Sequence, residues 1–209
     1  MSQSVDCTEF AVIGTGFWAQ HQLNAWGEIP QARCVAVVDI DIDKANVFAN
    51  RFGIANVYDS VKALFANHAP RFVDVISSPS SHESVVTEVA SYGADVICQK
   101  PLAMDTDSAR RMVDACASAG VSLSVHENWR FQRPIRALAE SIATAPLGRI
   151  FRAAVHYDNS FPVFDNQPTL KDEKQFILSD MGTHIFDVIR FLFGEPIRLS
   201  CEVERSRND

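Results

Sequence analysis

A short glycine-rich turn between an apolar strand and a helix constrains this chain more than any other feature. Residues 8–14, TEFAVIG, predict a buried β-strand, and the turn GTGFWA, residues 14–19, follows directly. Gly14 suits a tight turn, Gly16 lets the backbone approach a pyrophosphate, and Ala19 lets helix and strand pack closely. The N–H groups at such a helix start are oriented toward phosphate oxygens. The pattern predicts a dinucleotide-binding unit, although the same residues can form a glycine turn without a ligand.

Strands and helices alternate as far as residue 126. Further strands are predicted at residues 34–39, 56–58, 72–78, 95–100 and 121–126, and helices at 41–52, 80–92 and 105–119. The strands are near-continuous apolar runs, which suit a parallel sheet covered on both faces. Polar residues at the helix starts and glycines just past the ends mark the boundaries. The repeated β-α units therefore predict an α/β fold with a doubly wound parallel sheet.

The pattern changes after residue 127. The sequence predicts a helix at residues 133–144, a half-exposed strand at 149–158, a polar loop at 159–175, an apolar helix from 180 and a last strand at 197–205. The alternation in the last strand suits an antiparallel sheet. We therefore predict two domains, residues 1–127 and 128–209, of which the second is an α+β domain with a mostly antiparallel sheet.

Composition excludes several classes of partner. The net charge is −7 and the isoelectric point is about 5.3, with no run of Lys or Arg, so we expect no nucleic-acid or membrane-surface partner. No apolar stretch approaches the roughly 20 residues that span a bilayer, and the N-terminal residues show no secretory signal. The five cysteines are scattered without a CxxC pair, which favours reduced thiols and a cytoplasmic protein.

An acidic residue ends the second predicted strand. Asp39 can accept hydrogen bonds from the adenosine ribose hydroxyls and would repel a 2′-phosphate. Ile40 and Asp41 follow it, and no Arg is present to bind such a phosphate, so the sequence favours NAD over NADP. Together with Asp39, the predicted cofactor contacts in the turn are Gly14, Gly16, Phe17 and Trp18.

Two further segments follow strands at the same predicted edge of the sheet. Ser78 and Pro79 can line the cofactor, while His82 either contacts it or lies at the surface of a helix capped by Ser80. Ligands of open α/β sheets bind at the carboxyl ends of strands. Lys100 ends the fifth strand there, and its ammonium can bind cofactor and substrate hydroxyls, although a lysine at a strand end is more often solvated.

The segment SDMGTHIFDVIRFLFGEP, residues 179–196, carries a candidate acid–base pair. Asp180 and His184 lie at positions i and i+4 of the predicted helix, which share one face. A carboxylate and an imidazole on one face can support proton transfer and bind substrate. The alternative is a capping Asp beside a structural, half-buried His.

The segment HENWRF, residues 126–131, closes the sixth strand. We interpret Asn128 as a cofactor contact and Arg130 as a substrate contact, both lining a cleft between the predicted domains. A metal site would combine His126, Glu127, Asp180 and His184. Because no HxxxH or HExxH spacing supports it, we predict no metal.

Taken together, GTGFWA, Asp39, SSPSSH, QKPLAMD, HENWRF and DMGTHIFDVIRFLFGEP resemble the Gfo/Idh/MocA oxidoreductase family, in its order and over nearly the whole chain. The resemblance implies an N-terminal Rossmann domain and a C-terminal domain with an open, largely antiparallel sheet. It also implies an NAD(P)-dependent dehydrogenase of sugars, sugar acids, cyclitols or related polyols. The family's Lys of the Glu-Lys-Pro step falls on Lys100, and its Asp and His of the DxGxH helix fall on Asp180 and His184.

The chain departs from the family pattern in two respects. Gln99 stands where the family usually has Glu, so Lys100 loses a possible carboxylate partner. Family members are also longer, so most of the expected C-terminal sheet is missing, and we expect a natural short form or a truncation. A two-strand remnant would expose apolar edges, which predicts homo-oligomerisation through this sheet.

The resulting prediction is an NAD-dependent oxidoreductase that moves a hydride between nicotinamide and a sugar, sugar-acid, cyclitol or polyol hydroxyl. His184 would take the hydroxyl proton, Lys100 would position the reacting oxygen, and Asp180 would orient His184 or bind substrate. Two alternatives remain open at this point: a family member that binds NAD or a sugar without redox chemistry, and an NAD-dependent glycosidase.

Overall fold

The structure is a computed structural model that describes residues 7–158, 160–167, 170–171 and 176–204. The described residues form two compact units. The first contains those up to 126 and those of 160–176, and the second contains those of 127–159 and from 177 onward. These units are defined by contacts within the chain, and they differ from the predicted domains in that the described residues of 160–176 belong to the first unit. The predicted domain boundary at residue 127 stays a prediction.

The first unit is built on one parallel sheet. Its strands are β1 (Thr8–Ile13), β2 (Ala32–Val38), β3 (Asn56–Tyr58), β4 (Phe72–Val75), β5 (Asp95–Cys98) and β6 (Leu123–Val125). The spatial order is β3-β2-β1-β4-β5-β6, and each paired neighbour is parallel. This is the strand order of the Rossmann fold, in which the direction of winding reverses between β1 and β4.

Eight α-helices are described. The first unit holds α1 (Ala19–Trp26), α2 (Ile42–Phe52), α3 (Val61–Asn67), α4 (His82–Ser91), α5 (Thr106–Ala119) and α7 (Val163–Asn166), and the second holds α6 (Arg133–Thr144) and α8 (Thr183–Phe193). The carboxylates of Asp41 and Asp105 cap α2 and α5 by accepting from the backbone N–H groups of Lys44 and Ser108. These caps satisfy N–H groups that the helix itself leaves unpaired.

Both faces of the sheet are buried. In β1, Phe10 and Val12 pack with α1 and α2 on one face, whereas Ala11 and Ile13 pack with α3, α4 and α5 on the other. Burying one large apolar side chain contributes about 1.5–3 kcal/mol. The two-sided burial explains why the strand sequences are continuously apolar rather than alternating.

The winding reversal brings two loops together at the carboxyl edge. Gly14 follows β1 with a φ of +96°, a conformation that side chains disfavour. A Cβ on Gly14 would lie 2.7 Å from the backbone nitrogen of Ser77 and 2.8 Å from the carbonyl carbon of Ile76. Glycine is therefore required here both for the turn and for the close approach to the loop after β4.

The parallel sheet predicted from sequence is confirmed, with local differences. All strands except β3 end a residue or more before the predicted limits because their last residues enter the loops of the carboxyl edge. Helix α3 was not predicted, although Ser60 marks its start by accepting from the N–H of Ala63 at 3.3 Å. The expected cap at Ser80 is wrong, because a 3-10 turn at Pro79–Ser81 precedes α4 and no side chain caps it.

The second unit differs more from the expectation. Helix α6 is as predicted, but the described residues 149–158 and 197–204 form no strand, and Arg205 lies outside the described residues. A strand needs a paired neighbour to be stable, and the described part of this unit provides none. The predicted loop at 159–175 contains α7, and its residues 159, 168–169 and 172–175 lie outside the described residues.

Two further observations concern membrane-spanning helices and the cysteines. Among the described residues, no helix is both long and apolar enough to cross a bilayer. The five cysteines all lie in the described part of the chain and are free thiols.

Because Gly14 lies so close to the loop after β4, we predict that alanine at position 14 lowers the free energy of unfolding more than alanine at position 53 does. Gly53 also has a positive φ, of +67°, but a Cβ there would meet no atom within 4 Å. Gly53→Ala is expected to cost only the conformational penalty of about 1–2 kcal/mol, whereas Gly14→Ala should cost a further ~1–3 kcal/mol because backbone must shift. Urea unfolding of both variants measures the difference, and equal losses would contradict the predicted clash.

Candidate functional site

The carboxyl edge of the sheet gathers most of the predicted cofactor residues. Gly14 follows β1, Asp39 follows β2, Ser78 follows β4 and Lys100 follows β5. Because the strands are parallel and adjacent, their ends meet at one edge, on both sides of the β1/β4 reversal. This is the place where open α/β sheets bind ligands.

Asp39 is held in place by the glycine-rich turn. Its Oδ2 accepts from the backbone N–H of Thr15 at 2.8 Å and from the Thr15 hydroxyl at 2.6 Å, while Oδ1 accepts from the N–H of Asp41 at 3.0 Å. Burial alone would raise the pKa of the Asp39 carboxyl, but these hydrogen bonds outweigh it and lower the pKa below its ordinary value. Asp39 is therefore an anion at neutral pH. Sequence reasoning missed Thr15.

The turn itself leaves room beside its backbone. A Cβ on Gly16 would meet no protein atom within 4 Å, and α1 begins at Ala19 immediately afterwards. Helix N-termini present N–H groups to anions, so these residues fit a pyrophosphate. Phe17 and Trp18 pack edge to face with ring centroids 5.3 Å apart, and Trp18 is 42% exposed. Their contact with a cofactor stays a prediction.

His82 has a structural position that the sequence did not anticipate. The ring is fully buried, with 0% exposure. Nδ1 lies 3.1 Å from the carbonyl oxygens of Pro101 and Leu102, and Nε2 lies 3.0 Å from that of Ser77. The expected surface position is therefore wrong, and the buried ring offers no exposed edge to a cofactor. His82 instead ties the loop after β4 to the loop after β5.

That tie supports the segment around Lys100. The Lys100–Pro101 peptide bond is cis, and Pro101 and Leu102 present their carbonyls to His82. Lys100 itself is half-buried at the end of β5. On the neighbouring strand end, Ser78 is exposed and its hydroxyl lies 3.2 Å from that of Ser80. The roles predicted for Lys100, Ser78 and Pro79 stay predictions.

The second unit holds His184 by a carboxylate. His184, in α8, is only 6% exposed, and its Nδ1 contacts the carboxylate of Glu127. The ring of Trp129 stacks on the imidazole with centroids 4.6 Å apart and planes 3° from parallel. A carboxylate on Nδ1 and an aromatic ring on one face fix both the tautomer and the orientation of an imidazole. Sequence reasoning missed this pair, although Glu127 was considered as a metal ligand.

Asp180 does not lie in the regular α-helix that the sequence predicted. Residues Ile177–Gly182 form a π-helix, and α8 begins only at Thr183. A π-helix bonds i to i+5, so the α-helical spacing that places i and i+4 on one face does not apply between Asp180 and His184. Such turns occur often at functional sites. The predicted role of Asp180 therefore no longer rests on shared helix spacing.

Arg130 is oriented by an acidic residue that sequence reasoning did not consider. Its Nε donates to Oδ2 of Asp187 at 2.7 Å, and its Nη2 contacts Oδ1 of the same carboxylate. The guanidinium also lies 5.4 Å from the ring centroid of Phe191. A two-point pair fixes the guanidinium plane. Asn128 is exposed at the start of the 3-10 turn Trp129–Phe131. The predicted contacts of Arg130 and Asn128 stay predictions.

Within the described ranges, no three His, Cys, Asp or Glu side chains come together as a metal site would require. The features that can hold a ligand are instead a glycine turn at a helix start, an anionic Asp39 and a lysine at the same edge. These residue types suit a dinucleotide with a pyrophosphate and ribose hydroxyls.

Comparison with known proteins agrees with this geometry. Residues 8–127 match the GFO_IDH_MocA family, described as an oxidoreductase family with an NAD-binding Rossmann fold, and residues 135–209 match a GFO/IDH/MocA C-terminal domain. A D-apiose dehydrogenase from Paraburkholderia graminis is 39% identical over 93% of this chain and 52% of its own length. A second D-apiose dehydrogenase, from Rhizobium rhizogenes, is 35% identical over 93% of this chain and 56% of its own length.

A solved structure shares the fold. The crystal structure of an oxidoreductase from Agrobacterium radiobacter in complex with NAD+, L-tartaric acid and magnesium has a TM-score of 0.86 and 35% identity, covering 90% of this chain and 55% of that one. This chain thus spans about half the length of the relatives that it matches. On the strength of both domain matches and of these identities, the chain belongs to the Gfo/Idh/MocA family of oxidoreductases.

Proposed function

We propose that this protein is an NAD-dependent oxidoreductase that moves a hydride between nicotinamide and a hydroxyl-bearing carbon of a sugar, sugar acid, cyclitol or polyol. The observation that carries the proposal is the carboxyl edge of the sheet, where the Gly14 turn, Asp39 and Lys100 follow β1, β2 and β5 of one parallel sheet. The family membership and the names of the dehydrogenase relatives support the reaction class.

The residues divide the work of binding. The glycine turn, Gly14 to Trp18, would hold the pyrophosphate, and Asp39 would accept from the adenosine ribose hydroxyls. The anionic state of Asp39 supports NAD over NADP, because a 2′-phosphate would meet a negative charge. Bound NAD+ supplies the hydride acceptor. Lys100 would donate hydrogen bonds to the reacting oxygen of the substrate.

His184 is the base in this proposal. Its Nδ1 contacts Glu127, so Nε2 is the atom that would take the hydroxyl proton. The Glu127 carboxylate would stabilise the imidazolium that forms, as a carboxylate does beside a catalytic histidine. This contact gives Glu127 the orienting role that the sequence left to Asp180, and Asp180 remains a candidate for binding substrate.

We propose a branched or linear pentose as the first substrate to test. The D-apiose dehydrogenases from two organisms match over 93% of this chain, which favours D-apiose over the other sugars and cyclitols that relatives are named for. A panel of D-apiose, D-xylose and myo-inositol with NAD+ and NADP+ separates these choices by the appearance of NADH or NADPH.

We also propose that the second unit contributes strands to an antiparallel sheet through which copies associate. Its segments 151–157 and 197–203 alternate apolar and small or polar residues with a period of two. Phe151 and Ile197 are 94% and 104% exposed, and Val155, Leu199 and Val203 are exposed as well. Alternating exposed apolar residues suit strands that gain a partner, whether within the sheet or from a second copy.

Removal of the proposed base or of the lysine should slow turnover strongly. His184→Ala and Lys100→Ala are each expected to lower kcat for the best sugar by at least about a hundredfold, since a positioned acid–base group contributes 10²–10⁴-fold. Lys62→Ala, at an exposed position of α3, is the control for loss of a lysine. Full activity in both site variants would refute the assignment, and NAD+ binding without any hydride transfer would favour a non-catalytic binding protein.

Loss of Glu127 should affect stability as well as rate. Glu127→Ala leaves the buried His184 without its carboxylate partner, so we expect a loss of about 1–3 kcal/mol in the free energy of unfolding. Glu195→Ala is the control. Glu195 pairs with Arg190 of α8, and both side chains are largely exposed, so the loss of this pair should change the free energy of unfolding little. Guanidinium unfolding of both variants measures this, and a similar response in both would contradict the structural role of Glu127.

Loss of the Asp39 charge should change the choice of cofactor. Asp39→Ala is expected to weaken NAD+ binding by at least about tenfold, since a hydrogen bond to a charged group is worth about 1.5–3 kcal/mol, and to weaken NADP+ binding much less. Thr15→Val removes one hydroxyl contact to Asp39 but keeps the charge, and should retain the NAD+ preference. Calorimetric titration of both variants with both cofactors measures the ratio, and an unchanged ratio in Asp39→Ala would contradict the role of Asp39.

A further inference from the structure

A chain of hydrogen bonds through the buried Gln22 and the half-buried Gln99 links Asp74, inside the sheet, to the backbone of Lys100. Asp74 in β4 is fully buried, and both of its oxygens lie 3.0 Å from Nε2 of Gln22 in α1. Trp26 donates to Oδ2 of Asp74 at 2.8 Å. Gln99 donates from Nε2 to Oε1 of Gln22 at 2.7 Å, and its own Oε1 accepts from the N–H of Lys100 at 2.7 Å.

The two ends of this chain set its direction. An ionised Asp74 only accepts hydrogen bonds, so Gln22 must turn its NH₂ group toward Asp74 and its oxygen toward position 99. At the other end the backbone N–H of Lys100 only donates. The side chain at 99 must therefore donate on one side and accept on the other, which an amide does and an ionised carboxylate does not.

We propose that Gln99 is a positioning residue, and that the Asp74–Gln22–Gln99 chain holds the backbone of Lys100 and requires an amide at position 99. The catalytic part of this inference rests on the proposed function of Lys100, whereas the requirement for an amide does not. The inference also explains the departure from the family pattern: with Asp74 and Gln22 behind it, a glutamate at 99 would face the oxygen of Gln22.

Among the groups around Asp74, only its own charge sets the direction of the hydrogen bonds in the chain. Cys34 in β2 packs on the same face of the sheet as Asp74, and Cys98 in β5 packs on the opposite face. Burial raises the pKa of each thiol to about 12, so both stay neutral. Burial also raises the pKa of Asp74 to about 6, against the hydrogen bonds from Trp26 and Gln22. His126 Nδ1 lies 3.4 Å from Nε2 of Gln99 and can donate or accept, so it does not set the direction.

Each of two single substitutions leaves one hydrogen bond of the chain without a donor or an acceptor, and their combination rebuilds the chain in the opposite direction. Gln99→Glu sets a carboxylate against the Gln22 oxygen, and Asp74→Asn sets an NH₂ group against the Gln22 NH₂. In the double variant Gln22 can rotate by half a turn: the new Asn donates to its oxygen and still accepts from Trp26, while the new Glu accepts from both Gln22 and the N–H of Lys100. The chain then runs in the opposite direction with every group paired.

A stability cycle tests the direction without any activity measurement. Both single variants should unfold at lower urea concentration than the unchanged protein, and the double variant should recover, with a coupling on the order of tenfold or more in the unfolding equilibrium constant. Gln31→Glu, an exposed site in the same unit, is the control for added charge and should change little. A double variant no more stable than the weaker single variant overturns the proposal. If Gln99→Glu alone does not fold, folding of the double variant supports it.

The pH dependence of the same variants has a definite sign. A carboxyl whose pKa is higher in the folded than in the unfolded state binds more protons when folded, so stability falls as pH rises between the two values. In Gln99→Glu, protonation of Asp74 or of the carboxyl at position 99 supplies the missing hydrogen-bond donor. The loss in the free energy of unfolding, relative to the unchanged protein, should therefore grow as pH rises from about 5 to 8. The growth should vanish in the double variant, where position 74 cannot ionise. A deficit that is independent of pH would count against the proposal.

Kinetics then test the link to Lys100. Gln99→Glu is expected to lower kcat several-fold while the KM for NAD+ stays unchanged, and the double variant should regain kcat. Recovery of stability without recovery of kcat would overturn the positioning of Lys100. If the unchanged protein transfers no hydride with any sugar, the proposed function fails, and the stability cycle still decides whether position 99 requires an amide.

Discussion

The contact between the Gly14 turn and the backbone of Ile76 and Ser77 is the constraint on which the site depends. It closes the gap where the winding of the sheet reverses, so the loops after β1 and β4 come within van der Waals distance. Asp39 then reaches the turn through Thr15, and His82 ties the loop after β4 to the one after β5. A side chain at position 14 would separate these loops, and the edge would lose the geometry that a dinucleotide needs.

A second requirement comes from polar groups inside the same sheet. Asp74 interrupts the apolar strand β4, and an unpaired carboxylate there would be costly. Gln22 and Trp26 satisfy it from α1, and the hydrogen-bond chain continues through Gln99 to the end of β5. Core packing and the position of Lys100 are thus coupled. The amide at 99, which looks like a loss beside the family's glutamate, is the residue that this interior accepts.

The second unit reaches its arrangement by a separate route. Glu127 follows β6, and Trp129 begins the 3-10 turn Trp129–Phe131. The Glu127 carboxylate contacts Nδ1 of His184 in α8, and the Trp129 ring stacks on one face of the same imidazole. The segment before α8 is a π-helix, so Asp180 is set by that turn rather than by α-helical spacing. Arg130 is paired with Asp187 on the same helix. These pairings orient the side chains of His184 and Arg130.

The sequence alone determined the parallel α/β sheet, the glycine turn, Asp39 at the end of β2 and the limits of α2, α5 and α6, because continuous apolar strands, polar caps and glycine positions are local signals. It also located Lys100 and His184, through the resemblance to a family. Only the tertiary structure decided that Glu127 is the partner of His184, that His82 is buried between two loops, and that Asp74 and Gln22 lie behind Gln99. Each of these is a contact between residues far apart in the chain, whose side-chain directions no local pattern encodes. The strands expected after residue 148 have the right alternation, but a strand forms only when a neighbour is present to accept its hydrogen bonds.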